Sequence, residues 1–383
     1  MRRKVSNTEA DGNVIDHRLR IALACSGLGE IRRGYERHFA ELYRLIHTEF
    51  ETVLFKGGAA GPGVQLFRPS RKARLAAFVG KLTGRSATDV EVLCFASWLI
   101  PAAVAGRFDL VHFANAQVIP YARLPRGVLR PNLLFTNGGG YGPKNYSEVD
   151  FVHLLTPFDY QRAIEFGMPK ERLFTIPIGV DTKRFQPVSS DAKLALRSKY
   201  GIPDDSFVVV GVGDLGQGSF KRAGWLIDEV ARLSSKVFLL LVGHRDKTSA
   251  VYTRLCEVKL GNRFRIMTMP DEEVHEAYAV ADLMALASLR ETFPNVFVEA
   301  MSTAIPVIAH DHPAMRWIVA DGGSIIDMTA PGELASEIQF YVDNPDLRRE
   351  RGERGRTNIM EKFDYDALKP AYLNMYRRCA ADT

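Results

Sequence analysis

With 383 residues, 46% of them hydrophobic and 25% charged, the chain is ordinary globular material, long enough for two cores of typical domain size. A net charge of +5 and a pI near 8.9 suit an anionic ligand or a lipid surface, but with no interleaved aromatic and basic module they do not indicate nucleic-acid binding. The four cysteines, Cys25, Cys94, Cys256 and Cys379, lie far apart and show neither metal spacing nor a disulfide framework, as expected for a reducing cytosol.

Residues 1–18 are polar and charged without an apolar stretch, which predicts a disordered tail, neither a signal peptide nor an anchor. Beyond them, apolar runs alternate with longer amphipathic stretches. Residues 19–24, 52–55, 110–113, 133–136 and 152–155 are the expected strands of the first half, and 207–212, 237–242, 264–267, 283–286 and 306–309 those of the second. Strands alternating with helices imply parallel sheets. Between residues 68 and 85 six basic residues and no acid accompany Leu75, Phe78, Val79 and Leu82 at helical spacing. That pattern fits an interfacial helix on an anionic membrane or a core-packed helix with a solvated basic rim. Residues 89–105 read as a buried helix, interrupted by Glu91 and Pro101 and short for a membrane span of ~20 residues. Thr156-Pro157-Phe158-Asp159 combines an N-cap hydroxyl, a first-turn proline and an acid, which starts a helix directly after a strand. A domain boundary is expected near residues 185–190, at Gln186-Pro187-Val188-Ser189-Ser190.

Gly211-Val212-Gly213-Asp214-Leu215-Gly216 follows a strand, where a dinucleotide fingerprint belongs. A dehydrogenase should then carry an acid at the end of the next strand, but that strand ends Gly243-His244-Arg245, and Asp228 and Glu229 sit on the helix between. The glycines are better suited to bringing backbone close to a diphosphate. Farther on, Glu291 and Glu299 flank a predicted helix start at Pro294 or Asn295. Unpaired first-turn amides of Phe293, Asn295 and Val296 and the positive dipole end favour phosphate or sugar oxygens there. Glu299, one turn in, suits a ribose diol, and Glu291, ahead of the helix, suits hexose hydroxyls.

Ser288-x-x-Glu291-Thr-Phe-Pro-x-x-x-x-Glu299-Ala-Met-x-x-x-x-Pro306-Val resembles the signature of retaining GT-B glycosyltransferases of the family-four, group 1 type. Ile176-Pro-Ile-Gly-Val-Asp-Thr-Lys-Arg-Phe185-Gln-Pro187 is similar to that family's interdomain segment, and Phe363-Asp-Tyr365 through Tyr376 to its closing helix. The resemblance implies an α/β fold of two Rossmann-like domains with parallel sheets facing a cleft. Residues 19–186 with the closing helix 366–383 would form the acceptor side, and residues 187–365 would bind the nucleotide sugar. It further implies sugar transfer from a nucleoside-diphosphate sugar to a hydroxyl of a glycan, lipid-linked or small-molecule acceptor, with retention of configuration and no required metal or cofactor. Surface polysaccharide or glycoconjugate synthesis by a cytosolic or membrane-peripheral enzyme is the expected setting.

In the family a basic pair neutralises the leaving diphosphate. Lys221 matches the lysine, but Asp214 stands where the arginine is customary, so either Asp214 turns away or, the favoured alternative, Arg222 supplies the charge. Asn137, before Gly138-Gly139-Gly140, replaces the family's histidine; it can hydrogen-bond a sugar hydroxyl but cannot titrate. Gly29, in Gly27-Leu28-Gly29-Glu30, marks the other acceptor-side loop. Asp364-Tyr365-Asp366 precedes the last helix and reads as a cap, and the alternating side chains of His310-Asp311-His312 diverge, so neither predicts a metal. A sugar-nucleotide epimerase of the same fold, a catalytically degenerate nucleotide-sugar binder and a dehydrogenase remain alternatives.

Overall fold

The computed structural model describes residues 19–28, 34–58, 61–66, 84, 86–216, 219–245 and 247–381. The strands are β1 (Arg20–Cys25), β2 (Glu51–Lys56), β3 (Val64–Gln65), β4 (Leu110–Phe113), β5 (Asn132–Asn137), β6 (Phe151–Leu154), β7 (Leu173–Thr175), β8 (Phe207–Val212), β9 (Val237–Val242), β10 (Phe264–Met267), β11 (Leu283–Ala285), β12 (Val307–His310) and β13 (Gly323–Ile326). The α-helices are α1 (Gly34–Ile46), α2 (Ala87–Ala105), α3 (Pro157–Glu165), α4 (Ser190–Tyr200), α5 (Ala223–Val230), α6 (Ala250–Leu260), α7 (Val274–Ala279), α8 (Asn295–Ser302), α9 (Pro313–Val319), α10 (Glu333–Asp343), α11 (Pro345–Lys362) and α12 (Tyr365–Ala381).

The first sheet has the order β3-β2-β1-β4-β5-β6-β7 and the second β10-β9-β8-β11-β12-β13, with every pairing parallel. Each sheet reverses strand order once, at β1 and at β8, and loops leaving a reversal point diverge to opposite faces and open a crevice. The loops after Cys25 and Val212 therefore border the natural ligand positions.

Both faces of each sheet are buried, which explains the nearly continuous apolar strands. Ala22, Ala24, Val111, Phe113, Leu133 and Phe135 pack on one face of the first sheet, while Ile21, Leu23, Cys25, Leu110 and Leu134 alternate to the other, under α1 and α12. In the second sheet Val208, Val210 and Val212 face one way, Phe207 and Val209 the other. Ten strands lie within a residue of the sequence expectation. The three not anticipated, β3, β7 and β13, are short, and β13 opens on Gly322-Gly323, which reads as a turn.

The chain crosses between sheets twice, and the crossings are hydrogen-bonded: the Val180 amide donates to the Phe363 carbonyl at 2.8 Å and the Tyr365 amide to the Val180 carbonyl at 3.4 Å. Asp364 caps α12 through the Asp366 and Ala367 amides. Leu368, Tyr372, Met375 and Tyr376 of that helix then pack on the first sheet. The Thr156 hydroxyl caps α3 at the Asp159 amide, 3.2 Å away. Helix α2, capped by Ser86 at the Asp89 amide (3.0 Å), departs from expectation: only one side is buried, and Trp98 and Val104 face solvent. The predicted basic helix at 68–85 falls almost wholly outside the described residues, among which no helix is long and apolar enough to cross a membrane.

A fully buried polar chain runs through the first domain. Tyr376 donates to His112 Nδ1 (2.7 Å), His112 Nε2 to Thr136 (2.5 Å), Thr136 to His153 Nδ1 (2.8 Å), and His153 Nε2 to the Ile176 carbonyl (2.7 Å). Every link is satisfied when both imidazoles are neutral, because each ring then has one donor and one acceptor nitrogen. Burial holds His38 and His112 well below the ordinary histidine value of 6.5 and lowers His153 to about 4. Since these bases bind protons more tightly unfolded, their stability contribution is complete above pH 6.5 and is lost as the pH falls toward the folded values. Urea unfolding should thus show stability declining below pH 6.5, by up to about 1.4 kcal/mol per pH unit for each histidine. A profile flat down to pH 4 would contradict the neutral chain.

Candidate active site

At the reversal point of the second sheet, the chain leaves β8 through Gly213 and returns through Lys221, whose stem lies across the Gly213 backbone; a Cβ there would sit 3.1 Å from Lys221 Cγ. Lys221 Nζ meets Glu291 Oε1 at 2.6 Å, with both side chains largely buried, and lies over the Phe220 ring. A salt bridge this well shielded is a strong local dipole held ready at the crevice.

Arg222 adopts φ +53 at the entrance of α5, an uncommon conformation for a non-glycine residue and a mark of local constraint. Its guanidinium packs on Trp225 and donates to the Ala287 and Met328 carbonyls at 3.2 and 2.9 Å. It braces the ends of the strands and is not presented as a free cation. Asp214 turns to the Gly216 amide (3.2 Å) and toward His244, 3.9 Å away. Of the two ways of relieving its charge, the geometry therefore favours Asp214 turning away over compensation by Arg222.

Helix α8 begins at Asn295, as the sequence predicts, so its first-turn amides have no carbonyl four residues back. Asn295 and Val296 stand there, while the Phe293 side chain is buried against Phe363. Glu299 is buried and engaged on both oxygens: the Tyr278 hydroxyl donates to Oε2 at 2.6 Å, and Arg37 of α1 pairs with Oε1 at 2.9 Å. Glu299 is the chief cause of the raised Arg37 pKa, and burial, aided by Glu299, drives the Tyr278 phenol far above its ordinary range.

Facing this edge is the triple-glycine loop after β5. Tyr35 donates to the Thr136 carbonyl (2.6 Å) and accepts from the Gly138 amide (3.0 Å), its ring filling the space a Cβ on Gly138 would need. Gly140, at φ +68, spans the crevice so closely that a Cβ would lie 2.9 Å from Thr292 Oγ1, next to Glu291. Asn137 does not reach into the crevice. Its amide donates to the Tyr141 carbonyl (2.9 Å) and its oxygen accepts the Tyr141 amide (3.0 Å), so both polar atoms are used in clamping the loop. Gly29 lies outside the described residues.

Between the domains, a cavity of about 260 Å³ is lined by Gly34, Arg37, Asp271, Asn295, Glu299 and Tyr365, among others. Asn295 Oδ1 and His38 Nε2, both buried at its wall, have no hydrogen-bond partner among the described residues. The structure thus brings together Lys221, Glu291 and Gly213, and separately lines Asn295 and Glu299 along α8 beside the cavity. Arg37 and Thr292 escaped sequence reasoning because their contacts form only where the two domains meet, and Tyr35 and Tyr278 because their partners are distant in sequence.

The remaining polar motifs are accounted for locally. His310 Nδ1 accepts the Met328 amide, His312 Nδ1 the Ala314 amide, and Asp311 pairs with Arg316. No group of three or more histidine, cysteine or acidic side chains fit for a metal occurs among the described residues. Glu229, an acid considered for a dinucleotide ribose, accepts the Gly332 and Ala335 amides of α10.

Two parallel-sheet domains hinged over a central crevice are the GT-B architecture, and known structures bear this out. Sucrose-phosphate synthase from Thermosynechococcus elongatus superposes with a TM-score of 0.76 at 19% identity, over 96% of this chain and 100% of that one. Anabaena HepE in complex with UDP-glucose gives 0.74 at 17% identity, over 94% and 99%. At these identities the likeness establishes the fold. Residues 206–344 match the family model described as glycosyl transferases group 1. Alpha-galactosylglucosyldiacylglycerol synthase of Streptococcus pneumoniae (strain ATCC BAA-255 / R6) is 25% identical over 244 residues, 62% of this chain and 63% of the relative. The putative glycosyltransferase EpsD of Bacillus subtilis (strain 168) is 31% identical over 218 residues, 55% and 56% respectively. The matched region thus spans somewhat over half the length of these relatives.

Arg37 and Glu299 should be energetically coupled. Arg37→Met leaves a buried carboxylate without its cation and is expected to lower the unfolding free energy by about 3 kcal/mol. Adding Glu299→Gln should restore part of that loss, with a coupling of about 1–3 kcal/mol in a double-mutant cycle. Strictly additive effects would show that the pair does not join the domains.

Proposed function

We propose that this chain transfers a sugar from a nucleoside-diphosphate sugar to a hydroxyl acceptor with retention of configuration, in the synthesis of a glycolipid or surface polysaccharide. The observation that carries the reading is the Lys221–Glu291 pair at the reversal point of the second sheet, opposite the Gly138–Gly140 loop. The donor's diphosphate would lie against Lys221 and the first-turn amides of α8, with Glu291 released to accept hydrogen bonds from the hexose. As the bond from the anomeric carbon to the phosphate oxygen breaks, negative charge grows on the diphosphate, and Lys221 and the amide dipoles are already oriented toward it. The acceptor oxygen then bonds to the anomeric carbon from the same face, and its proton passes to the departing phosphate oxygen. Metal is not needed for this charge balance.

The nucleoside would occupy the cavity beside α8, where Glu299 takes ribose hydroxyls by exchanging Arg37 and the unpartnered Asn295 oxygen is available as an acceptor. The names of the relatives support a lipid or glycan acceptor: one is a diacylglycerol glycolipid synthase, another a lipopolysaccharide core glycosyltransferase from Rhizobium meliloti. A degenerate nucleotide-sugar binder is a second reading, favoured by Asn137 closing on its own loop and by Arg222 bracing strand ends.

A thermal-shift series over uridine, guanosine, adenosine and thymidine diphosphate sugars should yield one hit, since a ligand at 100 times its dissociation constant stabilises by about 2.7 kcal/mol. With that donor, Lys221→Met is expected to reduce kcat by roughly 10²–10³, the effect of removing one preorganised charge-stabilising donor. Glu291→Gln should lower turnover while leaving nucleoside diphosphate binding intact. Binding without release of nucleoside diphosphate would reject the transferase and leave the binder or the epimerase, which interconverting sugar products would identify.

A further inference from the structure

Among the described residues, the basic pair expected at the diphosphate is half complete. Lys221 stands at the reversal point of the second sheet, but Asp214 turns to the Gly216 amide, and Arg222 is committed to the Ala287 and Met328 carbonyls. Arg290, beside Glu291 in sequence, is exposed and bears on His312. A departing diphosphate gains negative charge as its sugar leaves, and an ammonium is a point charge without the fork that holds two phosphate oxygens at once. The first domain brings a guanidinium to the same helix end.

Gly34 of α1 lies so close to Asn295, the first residue of α8, that a Cβ would fall 2.2 Å from Asn295 Nδ2. One turn further along each helix, Arg37 meets Glu299 at 2.9 Å. Two contacts in the same order mean that the helices advance side by side in one direction, with Arg37 one turn beyond the first-turn amides of α8. Helical side chains lean toward the N-terminus of their helix, so Arg37 leans toward those amides. Its guanidinium has to travel about 5 Å, one helical turn, to stand level with them. Gly34 puts no side chain in the way. At the end of that path Asn295 Oδ1 is buried and has no hydrogen-bond partner among the described residues, an acceptor that can fix one N–H of the fork while the others face phosphate.

One carboxylate oxygen holds Arg37 in its observed place. The Tyr278 hydroxyl keeps Glu299 Oε2, so ribose hydroxyls arriving at Oε1 compete with Arg37 alone. On the premise that the chain is the transferase proposed above, with the donor ribose at Glu299, we propose that Arg37 is a second catalytic cation: ribose hydroxyls take its place on Glu299, and the displaced guanidinium swings to the donor diphosphate and stabilises the charge that develops there. As the bond from the anomeric carbon to the phosphate oxygen breaks, its electron pair stays on that oxygen. Arg37 donates hydrogen bonds to the phosphate and keeps all its protons.

Isothermal titration with uridine, guanosine, adenosine and thymidine diphosphates, each beside its own nucleoside, tests this. Arg37→Gln keeps a hydrogen-bond donor for Glu299 and removes the charge. It should weaken the diphosphate at least about tenfold while the nucleoside binds as tightly as in the parent or tighter, its competitor at Glu299 having been weakened. Arg37→Lys should bring the diphosphate back to within about fivefold of the parent. With the donor so identified, kcat of Arg37→Gln should fall by roughly 10²–10³. Glu299→Gln reads the same exchange from the other partner and spares Arg37: inorganic pyrophosphate should bind severalfold tighter, a gain that Arg37→Gln/Glu299→Gln should abolish. Nucleoside and diphosphate affinities that change equally in Arg37→Gln would show that the freed guanidinium turns elsewhere, to Asp271 for instance, and would overturn the proposal while leaving the transferase reading in place. A parent that binds none of the four diphosphates would remove that reading, and this one with it.

Discussion

The parallel pairing of β8 with β9 on one side and β11 on the other is the constraint on which the site depends. Parallel strands can be joined only by crossovers, and because the crossover leaving β8 runs to β9 on one side while that leaving β11 runs to β12 on the other, their first loops diverge and cannot close over the sheet edge. Lys221 arrives on one of these loops and Glu291 on the other. Their meeting follows from strand order more than from any local attraction, and the same rule puts the first domain's reversal at β1, next to the loop facing them.

Charge within the crevice is conserved by pairing. Glu291 is held by Lys221 and Glu299 by Arg37, so neither acid is buried alone. A carboxylate with four lone-pair sites can exchange one partner for another without ever being left bare, which keeps rearrangement cheap compared with breaking the pair outright. The polar chain from Tyr376 to Ile176 works in the opposite sense: each imidazole nitrogen has one partner and no spare capacity, making it a rigid element beneath the glycine loop.

Much of this was legible in the sequence. Ten strands were read from apolar runs because burial on both sheet faces erases polar alternation, and the caps at Thr156 and Asp364 were read from residue type alone. The start of α8 and the pair of glutamates were likewise visible. What was hidden depended on the second domain or on a side chain's direction. Residue type makes Asn137 a candidate substrate contact, and nothing in the sequence reveals that the Tyr141 backbone consumes it; nor does it reveal that the Arg222 backbone turns the guanidinium toward two carbonyls. The apolar composition of helix α2 predicts burial, but composition does not say which side has a neighbour.

The backbone bonds tying Val180 to Phe363 and Tyr365 have a mechanical consequence. Two polypeptide segments stitched together where they pass between the domains act as a pivot, and any swing that preserves the stitching displaces each contact in proportion to its lever arm. The Arg37–Glu299 pair shares a cavity wall with Val180 and Tyr365, close to the pivot, whereas Gly140 and Thr292 meet outside that wall. A few degrees of rotation would therefore part the lips of the crevice while the ion pair near the fulcrum is scarcely stretched.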